Sequence, residues 1–422
     1  TISGTSSVTV NGNASVTTGA VVGGSFSRVL AGTDDRAASA TVANSVVTIN
    51  GGQSIAGVVG GGLAEHLSGN GSATSTVTGT SAVYVNGGNL TNIVYTTSSG
   101  KKASSYAAVA GAGFATGENA SASVGNSVVV IDGAETVIKG NQPATDKKDY
   151  FDKDNAKVVA GGVAVNGGTV KVTNTSLTMN NGKVTGDLVG GNLIDGTGAA
   201  EKITSTSVTL NDGTLNGEVM GGSYVRGSNE SAIDTTTVLV SGGELQSVNN
   251  KAQYVLGGGK ALVYADAQDA SLTIDTTNVT ISDSVKVLGG GVIGGSLAKG
   301  TGTGKATVSV TNANTTILGG TQIAGVVGGG VGCAIAYPVL KKFHDCGAEV
   351  HAVVGFKNKD LVILEDKFRA ASSVLKLMTD DGSYGEKGLV TDALKELIDA
   401  GNQYDEIFAI GPAIMMKFVS KT

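Results

Sequence analysis

Tryptophan is absent from this 422-residue chain, proline occurs three times, and aromatic residues make up only 4% of it. So little proline excludes collagen, and the 66 glycines follow no three-residue period. Only two cysteines are present, Cys333 and Cys346, both late in the chain. That rules out a disulfide scaffold for the long region before them, and without a CxxC pair or a Cys/His cluster no zinc site is expected. The net charge of −6 leaves no basic stripe of the kind nucleic acid demands. No run reaches the length of an apolar membrane span. The chain opens at Thr1 without methionine or a signal-peptide pattern, so it reads as a fragment from which export cannot be judged.

What is abundant is glycine, serine, threonine, asparagine and valine, a mix suited to short strands joined by tight turns. The mix is uneven. Residues 1–330 hold 58 glycines and 40 charged residues, whereas residues 331–422 hold 8 and 24, an ordinary balance for a globular domain. We therefore expect two domains, 1–322 and 323–422.

The first is a repeat array. A glycine-ended element recurs as VVGGS (21–25), VVGGG (58–62), VAGAG (109–113), VVAGG (158–162), LVGGN (188–192), VMGGS (219–223), VLGGG (255–259), VLGGG (287–291) and VVGGG (326–330). Alternating stretches such as SVVTINGG and TVLVSGG precede it, and a polar stretch such as KATVSVTNA precedes those. Period two argues for strands with one buried face, and the N-G, D-G and G-G pairs argue for turns. Two or three short strands per unit of about 35 residues lead to the expectation of a right-handed parallel β-solenoid (β-helix). Its glycines then serve corners and the close approach of successive repeats. His66, the array's only histidine, has no titratable partner at a recognisable spacing and is expected to be exposed. Asp149, Asp152 and Asp154 with Lys147, Lys148 and Lys153 read as a solvated loop. In composition and period the array resembles autotransporter and adhesin-like passengers. That resemblance implies a surface-exposed structural or binding role without catalysis.

From the second copy of IAGVVGGG, at 323–330, the pattern changes to alternating strands and helices. CAIAYPVLKKFHDCG and KDLVILEDKFRAASS read as helices, AEVHAVVGF and VLKLMTDDG as strands, LVTDALKELIDAGN as a helix, and DEIFAIGP as a strand. Such alternation specifies a parallel sheet covered by helices, with ligands bound at the carboxyl ends of its strands. GGGVG between a strand and a helix lets backbone N–H groups approach a pyrophosphate. Cys333 reads as a packed residue at that helix start, and Cys346, His344 and His351 as positions without partners.

The stretches VGGGVGCAIAYPVLKKFHDCGAEVHAVVGFKNKDLVILEDKF, MTDDGSYGEKGLVTDALKELI and YDEIFAIGPAIMMKFV are similar to the NAD(P)-binding domain of ferredoxin reductase-type flavoproteins. Within that family they resemble the small flavoprotein subunit of sulfide dehydrogenase, also described as the small subunit of NADH-dependent ferredoxin:NADP oxidoreductase. The electron-transfer subunit of dihydroorotate dehydrogenase is a near relative. The resemblance implies a Rossmann-like α/β domain in an oxidoreductase subunit that passes electrons between NAD(P)H and FAD and iron–sulfur centres. It implies that Gly328, Gly329, Gly330, Val331 and Gly332 line the pyrophosphate, and that Gly355 and Lys357 stand at the adenosine ribose or its phosphate. Asp380, Asp381, Gly382 and Ser383 form the loop after the next strand, and Gly411, Pro412 and Met415 lie where the family places nicotinamide beside flavin. It also implies a larger flavoprotein or iron–sulfur partner subunit.

The family's Arg-x-Tyr-Ser/Thr flavin motif begins at none of Arg28, Arg36, Arg226 or Arg369, and no cysteine cluster for a 2Fe–2S centre follows GP. The chain is thus expected to hold a dinucleotide at most, as a domain truncated at its C-terminus and inactive alone. The array points to the cell surface and the second domain to the cytoplasm. That conflict leads to the expectation of a chimera joined at the shared VVGGG.

Overall fold

The computed structural model describes residues 1–30, 35–140, 157–227, 229–246, 253–263, 269–282, 285–287, 291–300, 304–318, 322–323, 326–327, 332–345, 347–356, 358–359, 362–404 and 419. The chain divides into two compact units, Thr1–Gly325 and Val326–Thr422.

In the first unit the alternating stretches become long parallel strands, among them Ala37–Asn50, Ser72–Leu90, Ala120–Ile131, Asn229–Val240 and Ala270–Ile281. Each pairs with the equivalent strand of the next repeat, as Val47 does with Val83 and Val238 with Val279. Short strands after the turns join the same 18-stranded sheet. The glycine-ended elements supply a second parallel sheet, in which Val58, Val109, Val158, Leu188, Val219 and Val255 follow one another in register. Strands beyond the glycines, from Phe26–Val29 to Leu297–Gly300, make a third, eight-stranded sheet. Val94–Thr96 and Lys102–Ser104 form an antiparallel hairpin beside them.

This corrects the fold expected from the sequence. The uniform right-handed solenoid of two or three short strands per unit is replaced, in the first unit, by several distinct parallel sheets. A full repeat contributes one long and three short strands, and strand lengths run from 2 to 19 residues. Period two marks a strand with a buried face, but it carries no information on how many strands a repeat contributes or to which sheet each belongs. The repeat register shifts too. Expected at VLGGG (287–291), the eighth glycine-ended element lies instead at Gly291–Ile293, where Val292 pairs with Val255, while Val287 pairs with Leu245 in the 18-stranded sheet.

Alternation sorts the apolar side chains into separate cores. Inward residues of the long strands, such as Val83, Val129, Leu177 and Val238, pack against the first apolar residue of each glycine-ended element, such as Val109 and Val219. The second residue, Val59, Val159, Val189 or Met220, turns to the opposite face and meets Leu63, Phe114, Leu193 and Tyr224 of the third sheet. Each fully buried valine or leucine contributes about 1.5–3 kcal/mol, so the repeat is stabilised by stacked columns rather than by one centre.

A buried hydroxyl column links the sheets. Ser81, Ser127, Thr175, Thr206, Thr236 and Thr277 each donate to a carbonyl in the glycine-ended elements, those of Gly111, Ala160, Gly190, Gly221, Gly257 and Gly294, at 2.6–2.7 Å. Thr236→Val leaves the Gly257 carbonyl without that donor and is expected to cost about 1–3 kcal/mol in urea unfolding, whereas Thr236→Ser keeps the bond and most of the stability.

His66 is 4% exposed, against the expectation of an exposed position, because it ends a strand packed beneath Val29 and Gly117. Its neighbour Glu65 is buried as well, paired with Arg28 and accepting the Thr96 N–H at 2.9 Å. The charged loop bearing Asp149, Asp152, Asp154, Lys147, Lys148 and Lys153 lies outside the described residues.

The second unit has helices α1 (Gly332–Asp345), α2 (Glu365–Ala370) and α3 (Val390–Asp399) and a described parallel sheet of three strands, His351–Phe356, Val374–Thr379 and the two-residue Glu386–Lys387. Ala352, Val354 and Phe356 face one side and pack with Phe368 of α2 and Tyr337 of α1. Gly355 faces the other side, where a Cβ would stand 2.5 Å from Val390 Cγ1 of α3. Helix α2 is far shorter than KDLVILEDKFRAASS suggested, because Leu364 takes φ 58° immediately before it and breaks the right-handed run.

Candidate functional site

Two strands of the second unit end flush. His351–Phe356 and Val374–Thr379 run parallel in unbroken register, so Phe356 stands beside Thr379. The segments leaving both carboxyl ends therefore emerge at one edge of the sheet, the position where open parallel sheets take ligands.

The loop after the second of these strands is built by its own residues. The Asp380 N–H donates to the Phe356 carbonyl at 3.0 Å and so bridges the two strand ends. Gly382, at φ 75°, closes a turn by donating to the Thr379 carbonyl. The Ser383 N–H donates to Asp381 Oδ1 at 2.9 Å, and hydrogen bonds from Ser383 are the first cause holding the Asp381 carboxyl below its ordinary range. Thr379 Oγ1 donates to the Tyr384 carbonyl and accepts the Tyr384 N–H, at 2.6 and 3.2 Å. The chain then turns back beside Met378 and Thr379, and α3 starts with the Leu389 N–H donating to Asp392 Oδ2 at 3.0 Å.

The segment after the first strand is tied to this loop: the Lys359 N–H donates to Ser383 Oγ at 2.7 Å. The Lys359 ammonium lies 5.8 Å from the Tyr384 ring centroid, and the Tyr384 hydroxyl donates to Glu365 Oε2 at 3.0 Å. Arg369, one helical turn on in α2, pairs with the same carboxylate and is the main cause of its lowered pKa, with Tyr384 second. Carboxylate, phenol, ammonium and hydroxyl thus share one rim.

Of the residues singled out in the sequence, the structure brings Gly355, Asp380, Asp381, Gly382 and Ser383 to this edge and places Gly332 at the start of α1. Gly328, Gly329, Gly330, Val331, Lys357, Gly411, Pro412 and Met415 lie outside the described residues, as does Cys346. His351 has partners, contrary to expectation: its Nδ1 is 2.8 Å from the Tyr404 hydroxyl, and Glu349 lies 3.5 Å from Nε2. His344 lies 3.5 Å from Asp345. Lys359, Tyr384 and Glu365 escaped the sequence reading. The first two are neighbours of named residues, but only the fold makes them converge with a helix residue. Among the described residues no group of three His, Cys, Asp or Glu side chains could hold a metal ion, and no helix is long and apolar enough to cross a membrane.

No protein-family model matches the chain. It is 50% identical over 95 residues to a protein of Clostridium beijerinckii called "Uncharacterized protein in adh 3'region", a match covering 22% of this chain and 32% of that protein. It is 47% identical over 93 residues to a dihydroorotate dehydrogenase B (NAD(+)) electron transfer subunit homolog of Thermotoga maritima, covering 22% and 32%. Against the dihydroorotate dehydrogenase B (NAD(+)) electron transfer subunit of Streptococcus mutans the identity is 42% over 100 residues, 24% of this chain and 37% of the other. The chain spans about a third of the length of these relatives.

Proposed function

We propose that residues 323–422 are the dinucleotide-binding part of an electron-transfer subunit of the ferredoxin reductase type; the Thermotoga and Streptococcus relatives are named as electron transfer subunits, or a homolog of one, of the NAD(+)-type dihydroorotate dehydrogenase B. The flush carboxyl ends of two parallel strands, stitched by Asp380 to Phe356 and by Lys359 to Ser383, carry this reading. The length of the matched stretch, close to that of the second unit, supports it.

In this proposal Gly328, Gly329, Gly330 and Val331 lead into α1, and the N–H groups from Gly332 onward receive the pyrophosphate. Asp380 offers a carboxylate to ribose hydroxyls, and Lys357 offers charge beside Gly355. Gly411, Pro412 and Met415 would border the nicotinamide. When bound, NAD(P)H supplies a hydride; the chain's part is to hold and orient it. FAD, a 2Fe–2S centre and the partner subunit belong to the whole protein of this type, and no residue here is assigned to them. A subunit of this kind works where NAD(P)H is, in the cytoplasm.

Titrating the purified chain with NADH and with NADPH, followed by nicotinamide fluorescence, tests the reading. Saturable binding is expected at dissociation constants of roughly 1 μM–1 mM, the range of ordinary enzyme substrates. Absence of saturation by either dinucleotide overturns it.

A further inference from the structure

We propose that Lys359 is a phosphate-contacting cation of this dinucleotide site, held in place by Ser383 and Tyr384; the inference rests on the reading above. Lysine is ordinarily a mobile point charge on a flexible stem. Here its backbone N–H is fixed on Ser383 Oγ and its ammonium lies over the Tyr384 ring, which is itself anchored through its hydroxyl to Glu365. Ser383 is anchored in turn by Asp381. Backbone and head group are therefore both placed at the edge where the two strands end, which lowers the ordering cost of binding an anion there.

The acidic loop beside it does not cancel this charge. Asp381 is engaged by Ser383 and feels Lys387, whose stem runs across Gly382, 3.0 Å from where a Cβ would stand. Glu365 is engaged by Arg369 and Tyr384. Lys359 makes no ion pair to Asp380, Asp381 or Glu365 among the described contacts, and its ammonium stands 5.8 Å from the Tyr384 ring centroid. The ligand chemistry is a phosphate ester of the dinucleotide, either its pyrophosphate or an adenosine 2′-phosphate.

NADH and NADPH titrations of the wild-type chain, Lys359→Gln, Lys359→Arg and Ser383→Ala decide the matter. In Lys359→Gln the dissociation constant of at least one dinucleotide should rise roughly tenfold, the scale of a charge-assisted contact discounted for exposure, and its salt dependence should weaken. Lys359→Arg should retain binding, and Ser383→Ala should lose roughly threefold by freeing the segment. Loss confined to NADPH identifies the 2′-phosphate; loss for both identifies the pyrophosphate. Unchanged binding of both by Lys359→Gln, with the wild type binding normally, overturns this proposal and leaves the dinucleotide reading standing. A wild-type chain that binds neither overturns both.

Discussion

Gly61→Ala is expected to destabilise the first unit by about 3 kcal/mol or more, beyond the usual overpacking range, because the obstacle is backbone. A Cβ on Gly61 would stand 1.6 Å from the Ala112 carbonyl oxygen and 2.6 Å from Val124 Cγ2. Neither can retreat easily. Ala112 donates to the Gly161 carbonyl, and Gly61 accepts from Gly24, so moving either strand breaks bonds to a further repeat. Gly19→Ala is the control: nothing lies within 4 Å of its Cβ position, and a change within about 0.5 kcal/mol is expected. Urea midpoints of the two variants check the contrast. Equal midpoints would show that the repeat spacing is adjustable.

The second large effect is a pH dependence centred on Glu218. Four ionisable groups are buried together in the first unit: Lys157 lies 3.3 Å from Asp187, and Lys260 pairs with Glu218, all 5% exposed or less. The Glu218 N–H donates to Asp187 Oδ1 at 3.0 Å, and the Lys157 ammonium lies 4.5 Å from the Tyr224 ring centroid. Burial pushes the Glu218 carboxyl up to about 7 from 4.5; the pull of Lys260 opposes this and the charge of Asp187 adds to it. Between those values the native state holds a proton that the unfolded chain releases. Stability from this group is therefore complete below about pH 4.5 and is lost as the pH rises through 7. The difference amounts to about 3 kcal/mol. Wild-type urea midpoints should fall from pH 5 to pH 8, and Glu218→Gln, which mimics the protonated acid, should match wild type near pH 5 and remove its share of the fall. A variant with the wild-type slope would refute the assignment. The lowered carboxyls, Asp234, Asp345, Glu365 and Asp381, lose their contributions only at acid pH and lie outside this window.

How far the site was legible follows from locality. Asp380 to Ser383 stand out in the sequence because a D-D-G-S run between an apolar strand and a helix is a local feature. Lys359 could not stand out. Its partner Ser383 is 24 residues away, and only the register of two strands brings them within 2.7 Å. Gly355 shows the converse. Its place at a strand end is plain from the sequence, yet the structure gives it a packing reason, the approach of Val390.

In the first unit the sequence by itself determined which residues face inward, since alternation leaves a β-strand no other choice once one face is buried. It also located most of the glycine-ended elements. Tertiary structure alone decided which glycines are obligatory. Ala112 and Ala160 occupy glycine positions of their repeats, so the letters do not distinguish a free site from one 1.6 Å from a neighbouring carbonyl. It decided the sheet each strand joins, moving the element expected at 287–291 to Gly291–Ile293. It also decided the burial of His66, Glu65 and the Lys157–Asp187–Glu218–Lys260 group. The physical reason is the same throughout: side-chain direction is a local property of the backbone, whereas spacing, sheet membership and desolvation depend on repeats 30 or more residues away.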